Sequence, residues 1–526
     1  MEVYAHRSFS LHLPERLRRC RNRIAQLSAS PDHDAIVELF VDVGEAYAAV
    51  ADGSAPGDAV VDAWAAAMQT VAAALCESWH GRPVSITLPS MPAGSPVDVR
   101  ATTAEGFAYY ALLPEQYLVA AERFVRERAP ASLLCIGIRS IGGPLAFVVA
   151  AAARALGVAA RVVTVRPCGH PFDRRVEFTE PVPEQLIAVV DEGPGLSGSS
   201  FASVADALVG RGVAPDRITL FPSWEAPVEG LRSARGRAAW RRHPHAVAAF
   251  EDVWPIDGLT DISAGQWRAL VFGPDDARWP AVQPQHERRK YLPSALAPAT
   301  VMRFAGLGRY GREKFERAAL LGDAGFAPRA ASLRRGFLSE TWVDGRRLDA
   351  ADGRREEVLD RVAAYAAFLR RDCRTGNGAR TEDLDIAARF DEPEIAVDGR
   401  MMPHDWVERG SALVKTDALD HHADDFLPGC RDIAWDLAGA SVEFDLDASA
   451  ERRMIETYVR LSGDRTIGHR LPEYKTAYLR YRLAYVSLAI ESLGGSTDAP
   501  RFSAAASRYR RSLAARESSR HRRRRC

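Results

Sequence analysis

The residues of this chain that are best placed for chemistry follow the apolar run Leu186–Val190. Two acids, Asp191 and Glu192, come directly after it, where they suit ribose hydroxyls or a Mg²⁺ ion that bridges to a pyrophosphate. A flexible turn then leads into a helix, and small residues at a helix start leave backbone N–H groups and hydroxyls open to a phosphate. The phosphate-binding candidates are Ser197, Gly198, Ser199 and Ser200. The sequence therefore predicts a sugar-phosphate or nucleotide site at this turn.

A second turn of similar character lies upstream, after the apolar run Ser132–Ile138 and before an alanine-rich helix. An arginine beside exposed amides suits an anionic leaving group, because its planar guanidinium can hold a pyrophosphate through two hydrogen bonds. The candidates here are Arg139, Ser140, Gly142 and Gly143. The basic stretch 166–175 follows the next apolar run and is a candidate cover that screens a reacting sugar from water. No lysine occurs in 96–225, so arginine must carry any cationic role there.

Acids and histidines form a second group in the last third of the chain. Asp398 and Asp417 lie 19 residues apart (417 − 398 = 19), with His404 between them. Asp417 opens a very polar stretch, 417–425, which fits a transition-metal site but suits a solvated loop better. The residues alone leave that choice open.

These side chains need elements to position them, and the pattern of apolar runs supplies them. Strand–helix–strand alternation predicts a mostly parallel, doubly wound sheet, which binds ligands outside the carboxyl ends of its strands. Apolar residues at three- and four-residue intervals predict helices that pack or cap at the start of the chain. The predicted fold class is α/β plus α+β. The predicted domains are a helical region at 1–95, the parallel-sheet domain at 96–225, a bridging segment at 226–283, a third domain at 284–500 and a basic, disordered tail at 501–526.

In its order of strand, two acids, spacer and small-residue turn, the segment 186–200 resembles the type I phosphoribosyltransferases. Their signature ends in Thr-Gly-x-Thr, which grips the 5-phosphate of phosphoribosyl pyrophosphate; here the spacer is one residue longer and Ser replaces Thr. The resemblance makes Asp191 and Glu192 catalytic residues that steady the positive charge developing on the ribose. The resemblance also implies that the upstream turn at 137–143 binds the pyrophosphate, and that the ligand is phosphoribosyl pyrophosphate or a nucleotide together with Mg²⁺.

The stretch 300–347 resembles the small lobe of the aminoglycoside- and choline-kinase-like phosphotransferases. It has a short strand, a glycine-rich stretch, a helix that ends at Gly and Pro, and a strand of the form Glu-x-x-x-x-Gly. In that family a basic strand residue pairs with a helix Glu beside the nucleotide. The resemblance makes Arg303 and Glu316 this nucleotide-binding pair, with Lys290 as the rival for the basic role.

The stretch 397–439 resembles the large lobe of the same family. There, one Asp acts on the acceptor hydroxyl, another ligand follows shortly after, and a second Asp holds Mg²⁺ on the nucleotide phosphates. The resemblance makes Asp398 catalytic, with Asp405 as the alternative, and makes Asp417 and His404 the metal ligands. The run 432–439 resembles the helix that braces the active site, but the usual His-Gly-Asp triplet is missing. A bilobal fold, ATP as co-substrate and a small-molecule acceptor are implied.

Composition limits the classes of protein that this chain can belong to. With 526 residues, 47% hydrophobic and 26% charged, it is not a mainly disordered or fibrous protein. Its 69 basic and 69 acidic residues balance, yet 501–526 holds ten Arg and one acid (10 − 1 = +9), so 1–500 carries −9. Seven scattered cysteines and the lack of a secretion signal or membrane span predict a cytoplasmic location. The basic tail is the one segment suited to RNA or acidic lipid, and a plain solubilising role suits it equally.

Together these features predict a bifunctional enzyme of nucleotide or sugar-phosphate chemistry. It would transfer a phosphoribosyl group from phosphoribosyl pyrophosphate and phosphorylate a small-molecule hydroxyl with ATP. Two alternatives stay open. The same two domains can form a sensor of nucleotides or phosphoribosyl pyrophosphate without turnover, or the tail can make the chain an RNA-associated protein.

Overall fold

The computed structural model describes residues 8–29, 32–55, 57–92, 94–293, 299–375, 390, 392–424, 426 and 429–525. Its first unit is helical, as the apolar spacing predicts, and a short antiparallel strand pair joins its two ends. The helices are α1 (Leu13–Ala29), α2 (His33–Gly53) and α3 (Ala59–Trp79), and the strands are β1 (Ser8–His12) and β2 (Asp98–Thr102). α3 is long and apolar enough to cross a membrane by length and composition, but it buries Trp64, Met68 and Leu75 in a core shared with α2.

Two helices, α4 (Glu105–Ala108) and α5 (Pro114–Arg128), lead into a four-stranded parallel sheet. The sheet is made of β3 (Ser132–Ile138), β4 (Ala159–Val165), β7 (Leu186–Val190) and β8 (Ile218–Phe221) in the order β4-β3-β7-β8. α6 (Gly142–Ala155) and α7 (Ser199–Gly210) connect them, and a hairpin of β5 (Cys168–His170) and β6 (Asp173–Arg175) lies between β4 and β7. This is the parallel, doubly wound sheet that the sequence predicts.

The apolar strands are explained by burial on both faces of the sheet. Leu133 and Cys135 of β3 face a core shared with the N-terminal helices, whereas Leu134 and Ile136 face a second core beneath α7. Because side chains alternate along a strand, such a strand must be apolar at every position. The strand order reverses between β3 and β7, and the sheet therefore offers its ligand crevice at their carboxyl ends.

The remaining chain forms a two-lobed unit. Its small lobe is an antiparallel sheet in the order β12-β13-β11-β10-β9, with a helix packed on it. The elements are β9 (Thr260–Asp261), α9 (Trp267–Phe272), β10 (Lys290–Leu292), β11 (Thr300–Phe304), α10 (Arg309–Asp323), β12 (Ala330–Arg334) and β13 (Phe337–Thr341). The preceding helix α8 (Ala234–Arg242) instead buries Trp240 in the core beneath α7. The segment 226–283, expected to bridge two domains, thus contributes the edge strand β9 to this sheet.

The large lobe is mainly helical around a third core. Its elements are β14 (Arg346–Arg347), α11 (Glu356–Asp372), β15 (Trp406–Arg409), β16 (Ala412–Lys415), α12 (Ala434–Glu443), α13 (Ala448–Ser462), α14 (Ile467–Leu493) and α15 (Ala499–Arg525). The disordered tail expected at 501–526 is wrong, because α15 continues to Arg525. Phe502, Ala506 and Tyr509 recur at helical spacing and are buried against α14, which stabilises the helix.

The small lobe packs directly on the N-terminal helices. Glu45 of α2 is buried and accepts hydrogen bonds from the Arg309 guanidinium at 3.0 to 3.2 Å. The glycine-rich stretch before α10 serves this contact: Gly308 has φ +58°, and a Cβ there would lie 3.3 Å from Val41. Glycine in this stretch therefore allows the backbone before α10 to pack closely against α2.

Candidate functional site

The first candidate site lies at the carboxyl edge of the parallel sheet, and we call it the sheet-edge site (Asp191, Glu192 and the turn 197–200). Asp191 follows the last residue of β7, and its backbone carbonyl accepts a hydrogen bond from the Tyr117 hydroxyl at 2.6 Å. No ion pair within 4.0 Å involves its carboxylate among the residues that the structure describes. Burial raises the pKa of Asp191 to about 7, against smaller opposing effects from the Glu192 amide and Arg174. This acid can therefore change its charge near neutral pH.

The two adjacent acids point to different neighbours. Glu192 Oε2 accepts a hydrogen bond from the Gly106 amide at 2.9 Å, which connects it to α4. Asp191 Oδ1 accepts from the Glu192 amide, also at 2.9 Å, and stays at the sheet edge. Asp191 is thus available to a ligand at the strand ends, whereas Glu192 is engaged in holding the preceding segment.

The serine turn is covered by the tip of the β5–β6 hairpin. The hydroxyls of Ser197 and Ser199 donate to the Pro171 carbonyl at 2.9 and 2.6 Å. α7 begins at Ser199, so the amides of its first turn, including that of half-buried Ser200, have no acceptor within the helix. Gly198 is buried at φ +66°, which permits the sharp entry into that helix. The structure therefore brings together the predicted phosphate turn and its predicted cover.

The upstream turn is arranged differently from the prediction. The Arg139 guanidinium donates to the Ala51 carbonyl at 2.6 Å and to Thr164 Oγ1 at 3.1 Å, and it lies 3.6 Å from Asp52. It is therefore held against the end of α2 as well as beside β4. Ser140, half-buried, follows it through a cis peptide bond.

The two glycines of that turn begin α6 and are buried. A Cβ on Gly142 would lie 2.3 Å from the Val190 carbonyl, so the missing side chain lets α6 approach the end of β7. Gly143 has ordinary space around it, and its nearest neighbours are Thr164 and Tyr47. Only the packing role of Gly142 is explained by these contacts.

The second candidate site lies where the lobes meet, and we call it the interlobe site (Arg303, Asp398, Arg400, Lys415, Asp417 and His421). Asp436, on the first turn of α12, accepts hydrogen bonds from the Asp398 and Gly399 amides at 2.8 and 2.9 Å. The Trp435 indole donates to the Gly399 carbonyl at 3.2 Å. α12 therefore fixes the loop that carries Asp398, as the helix at 432–439 is expected to do.

Asp398 is fully buried and already has a cationic partner. Its carboxylate lies 3.2 Å from Lys415 Nζ and accepts a hydrogen bond from the Tyr365 hydroxyl at 2.9 Å. Burial alone would raise the pKa of Asp398, but Lys415 and His421 outweigh burial and hold the pKa below its ordinary value. Lys415, itself completely buried, also lies 3.4 Å from Asp405.

Asp417 is surrounded by three basic groups. Arg400 lies 3.2 Å from its carboxylate, His421 lies 3.3 Å away and Arg303 lies 3.5 Å away. Burial would raise the pKa of Asp417, but His421 and Arg400 keep it well below the ordinary value. In turn, burial would lower the pKa of His421, but Asp417 and Asp398 raise it to about 9. The imidazole is therefore protonated at neutral pH.

The predicted pairing of Arg303 with Glu316 is wrong. Arg303 Nε instead lies 2.8 Å from Glu340 on the neighbouring strand β13, and Glu316 is exposed on α10. Two basic residues of that helix are buried: Lys314 donates to the Ala108 carbonyl at 3.2 Å, and Arg317 donates to the Ala418 carbonyl at 2.9 Å. Lys290 lies opposite Arg303 in the sheet register and 3.4 Å from Glu287.

The predicted metal ligands do not fit a divalent cation. Ligand atoms of Asp417, Asp420 and His421 lie within 4.8 Å of one another, but each is engaged. Asp417 contacts three basic groups, Asp420 lies 3.1 Å from Arg288, and the His421 ring lies between Asp417 at 3.3 Å and Asp398 at 3.8 Å. Burial lowers the pKa of His404, and its Nε2 lies 3.6 Å from Asp405. With His404 as the one remaining ligand, these residues offer too few free ligand atoms to hold a cation. Asp425, at the end of the polar stretch, lies outside the described residues.

Sequence reasoning missed Lys415 and Arg400, although a signal for the first was present. The chain has four lysines among 69 basic residues. Lys290 lies near Asp417 and Lys314 near Asp420, and Lys415 follows an apolar run two residues before Asp417. A rare lysine at the end of a buried strand indicates a demand for charge inside the protein.

The chain is similar in part to solved structures of phosphotransferases. They include a choline/ethanolamine kinase family protein from Mesorhizobium loti (14% identity, 42% of this chain and 84% of that one, TM-score 0.29). Others are the choline kinase LicA from Streptococcus pneumoniae (15%, 44% and 90%, 0.30) and the macrolide 2′-phosphotransferase MphH from Brachybacterium faecium (12%, 48% and 91%, 0.28). No family model and no curated protein matches the sequence. TM-scores of this size do not establish a common fold.

Proposed function

We propose that this protein is a transferase that binds phosphoribosyl pyrophosphate, with its Mg²⁺, at the sheet-edge site. The observation that carries the proposal is the meeting of the Ser197 and Ser199 hydroxyls with the Pro171 carbonyl of the covering hairpin. An oxygen acceptor already occupies the place that a phosphate oxygen would take. The first-turn amides of α7 supply further donors, and the helix dipole favours an anion there.

The residues at this edge suit transfer at the anomeric carbon. The bond from that carbon to pyrophosphate breaks, a nucleophile of the acceptor forms the new bond, and positive charge develops on the ribose. Asp191 stabilises this charge when it is ionised, which requires a pH near or above its pKa of about 7. The serine turn anchors the 5-phosphate after the tip of the hairpin has moved off the serine hydroxyls. The displaced hairpin then covers the bound sugar and excludes water.

Isothermal titration of the full chain with phosphoribosyl pyrophosphate and Mg²⁺ tests this proposal. We expect heat of binding with the wild type and a loss of about tenfold or more in affinity for the S197A/S199A double variant. Ser203→Ala is the matched control, because Ser203 lies one turn further along α7 and donates to the Ser200 carbonyl. No heat with the wild type, or equal affinity in the double variant, rejects the proposal.

A second candidate function is nucleotide binding at the interlobe site, with phosphorylation of a small-molecule hydroxyl by ATP as its enzymatic form. The observation in its favour is the conformation of the loop that carries Asp398. The amides of Asp398 and Gly399 in this loop donate to the Asp436 carboxylate beneath the junction of the lobes. Radiolabelled ATP offered with a pool of metabolites separates the two forms. If the wild type transfers the γ-phosphate and Asp398→Asn does not, the protein is an enzyme. Nucleotide binding without transfer supports a sensor.

A further inference from the structure

The acids of the interlobe site are matched by basic groups of the protein itself. Lys415 lies 3.2 Å from Asp398 and 3.4 Å from Asp405. Arg400 lies 3.2 Å from Asp417, and Arg303 lies between Asp417 at 3.5 Å and Glu340 at 2.8 Å. A divalent cation at Asp417 would face two guanidinium groups that are charged at every accessible pH. The protein's own cations thus occupy the place of a metal.

The solvent-facing layer of the site consists of Arg400 and Asp417, because the Arg303 side chain is only 11% exposed. The side chains of Asp417 and Arg400 are 28% and 31% exposed, whereas Asp398 and Lys415 are fully buried. A ligand that enters between the lobes therefore meets Arg400 and Asp417 before it reaches Arg303. The Nε–H of Arg400 is buried and has no hydrogen-bond acceptor in the described structure. A buried donor without a partner is costly, and a phosphate oxygen would supply its acceptor.

We propose that the interlobe site binds the phosphate groups of a nucleotide directly through Arg400 and Arg303, without a divalent cation. The inference rests on the second candidate function, nucleotide binding at this site. Guanidinium groups hold phosphate oxygens through paired hydrogen bonds, so they can replace the neutralising role of a metal in binding. Asp417 then acts as the counter-ion that keeps both arginines in place, and a phosphate competes with it for their hydrogen bonds.

ADP titrated into the S197A/S199A chain tests this inference, because that background weakens the sheet-edge site and so reduces its contribution to the heat. We expect the Kd in EDTA to stay within about twofold of the Kd in MgCl₂. Arg400→Gln should weaken ADP binding about tenfold in both buffers, the loss of one charge-assisted hydrogen bond. Arg480→Gln is the matched control, because Arg480 is 58% exposed on α14 and pairs with Glu517; it should leave the Kd unchanged.

Asp417→Asn keeps the test decisive if the arginine variant fails to fold. It frees Arg400 and Arg303 for the ligand, so ADP binding in EDTA should be retained or tightened. A Kd at least about tenfold weaker in EDTA, or ADP binding abolished in Asp417→Asn, overturns the metal-free site and leaves nucleotide binding intact. Absence of ADP binding in both buffers overturns this inference together with the second candidate function, and leaves the sheet-edge site to its own titration.

Discussion

At the sheet edge, Asp191 has no ion pair among the described residues, and burial raises its pKa to about 7. At the interlobe site, Asp398 and Asp417 each lie within 3.2 Å of a lysine or arginine, and their pKa values are lowered. The same residue type is thus held in opposite ways within one chain. An unpaired buried carboxylate lowers the stability of the protein and can gain a cationic partner from a ligand. A carboxylate that is already paired with a lysine or arginine has no such need. The contrast predicts opposite responses when each acid or its partner is changed.

The largest expected effect comes from removing the buried cation of the interlobe site. Lys415→Met leaves Asp398 and Asp405 without their shared partner, and breaking a buried ion pair costs about 3–5 kcal/mol in the free energy of unfolding. Urea unfolding followed by tryptophan fluorescence measures it. Lys475→Met is the control, since Lys475 pairs with Glu451 nearer the surface and should cost less than about 1 kcal/mol. A loss below about 1 kcal/mol for Lys415→Met would remove the contrast between the two sites.

At the sheet edge the sign reverses, and Asp191→Asn should stabilise the unliganded protein. The folded protein holds the Asp191 proton up to pH of about 7, whereas the unfolded chain releases it near the ordinary pKa of 3.8. Stability is therefore lost as the pH rises from 4 towards 7, and the variant escapes that loss. We expect a gain on the order of 4 kcal/mol at pH 7.5 that falls below about 1 kcal/mol at pH 4. Urea unfolding at the two pH values measures it, and a less stable variant at pH 7.5 contradicts the assignment.

A smaller effect is expected at the contact between the two regions. The Tyr109 hydroxyl, just after α4, donates to the Ala423 carbonyl of the two-lobed unit at 2.5 Å. Tyr109→Phe removes one hydrogen bond and should cost about 1 kcal/mol. Tyr110→Phe, at a side chain that is 44% exposed, should change the unfolding midpoint much less. Equal shifts for the two variants would mean that this bond does not join the regions.

The parallel sheet could be predicted because its information is local. β3, β4 and β7 are short apolar runs, and the turns after β3 and β7 stand where the strand order reverses. The Asp398 loop and its brace at Asp436 were also within reach, because the order of motifs placed them near each other. In both cases the chain order and the strand ends are enough to bring the residues together.

Long-range partners could not be predicted in this way. Arg303 meets Glu340 because β11 and β13 are neighbours in the sheet, and local spacing indicated only a helix with Glu316 on it. Lys415 was hidden for the same reason, since its partners lie 10 and 17 residues upstream in sequence and meet only in the fold. The order in α15 comes from docking on α14, which the Arg-rich composition conceals.

The most direct measurement of the central claim is a crystal structure with phosphoribosyl pyrophosphate and Mg²⁺ bound. The account predicts the 5-phosphate within hydrogen-bond distance of the Ser199 and Ser200 amides, with the Pro171 carbonyl displaced from the Ser197 and Ser199 hydroxyls. A ligand bound elsewhere, with the Pro171 carbonyl still on both hydroxyls, would contradict it.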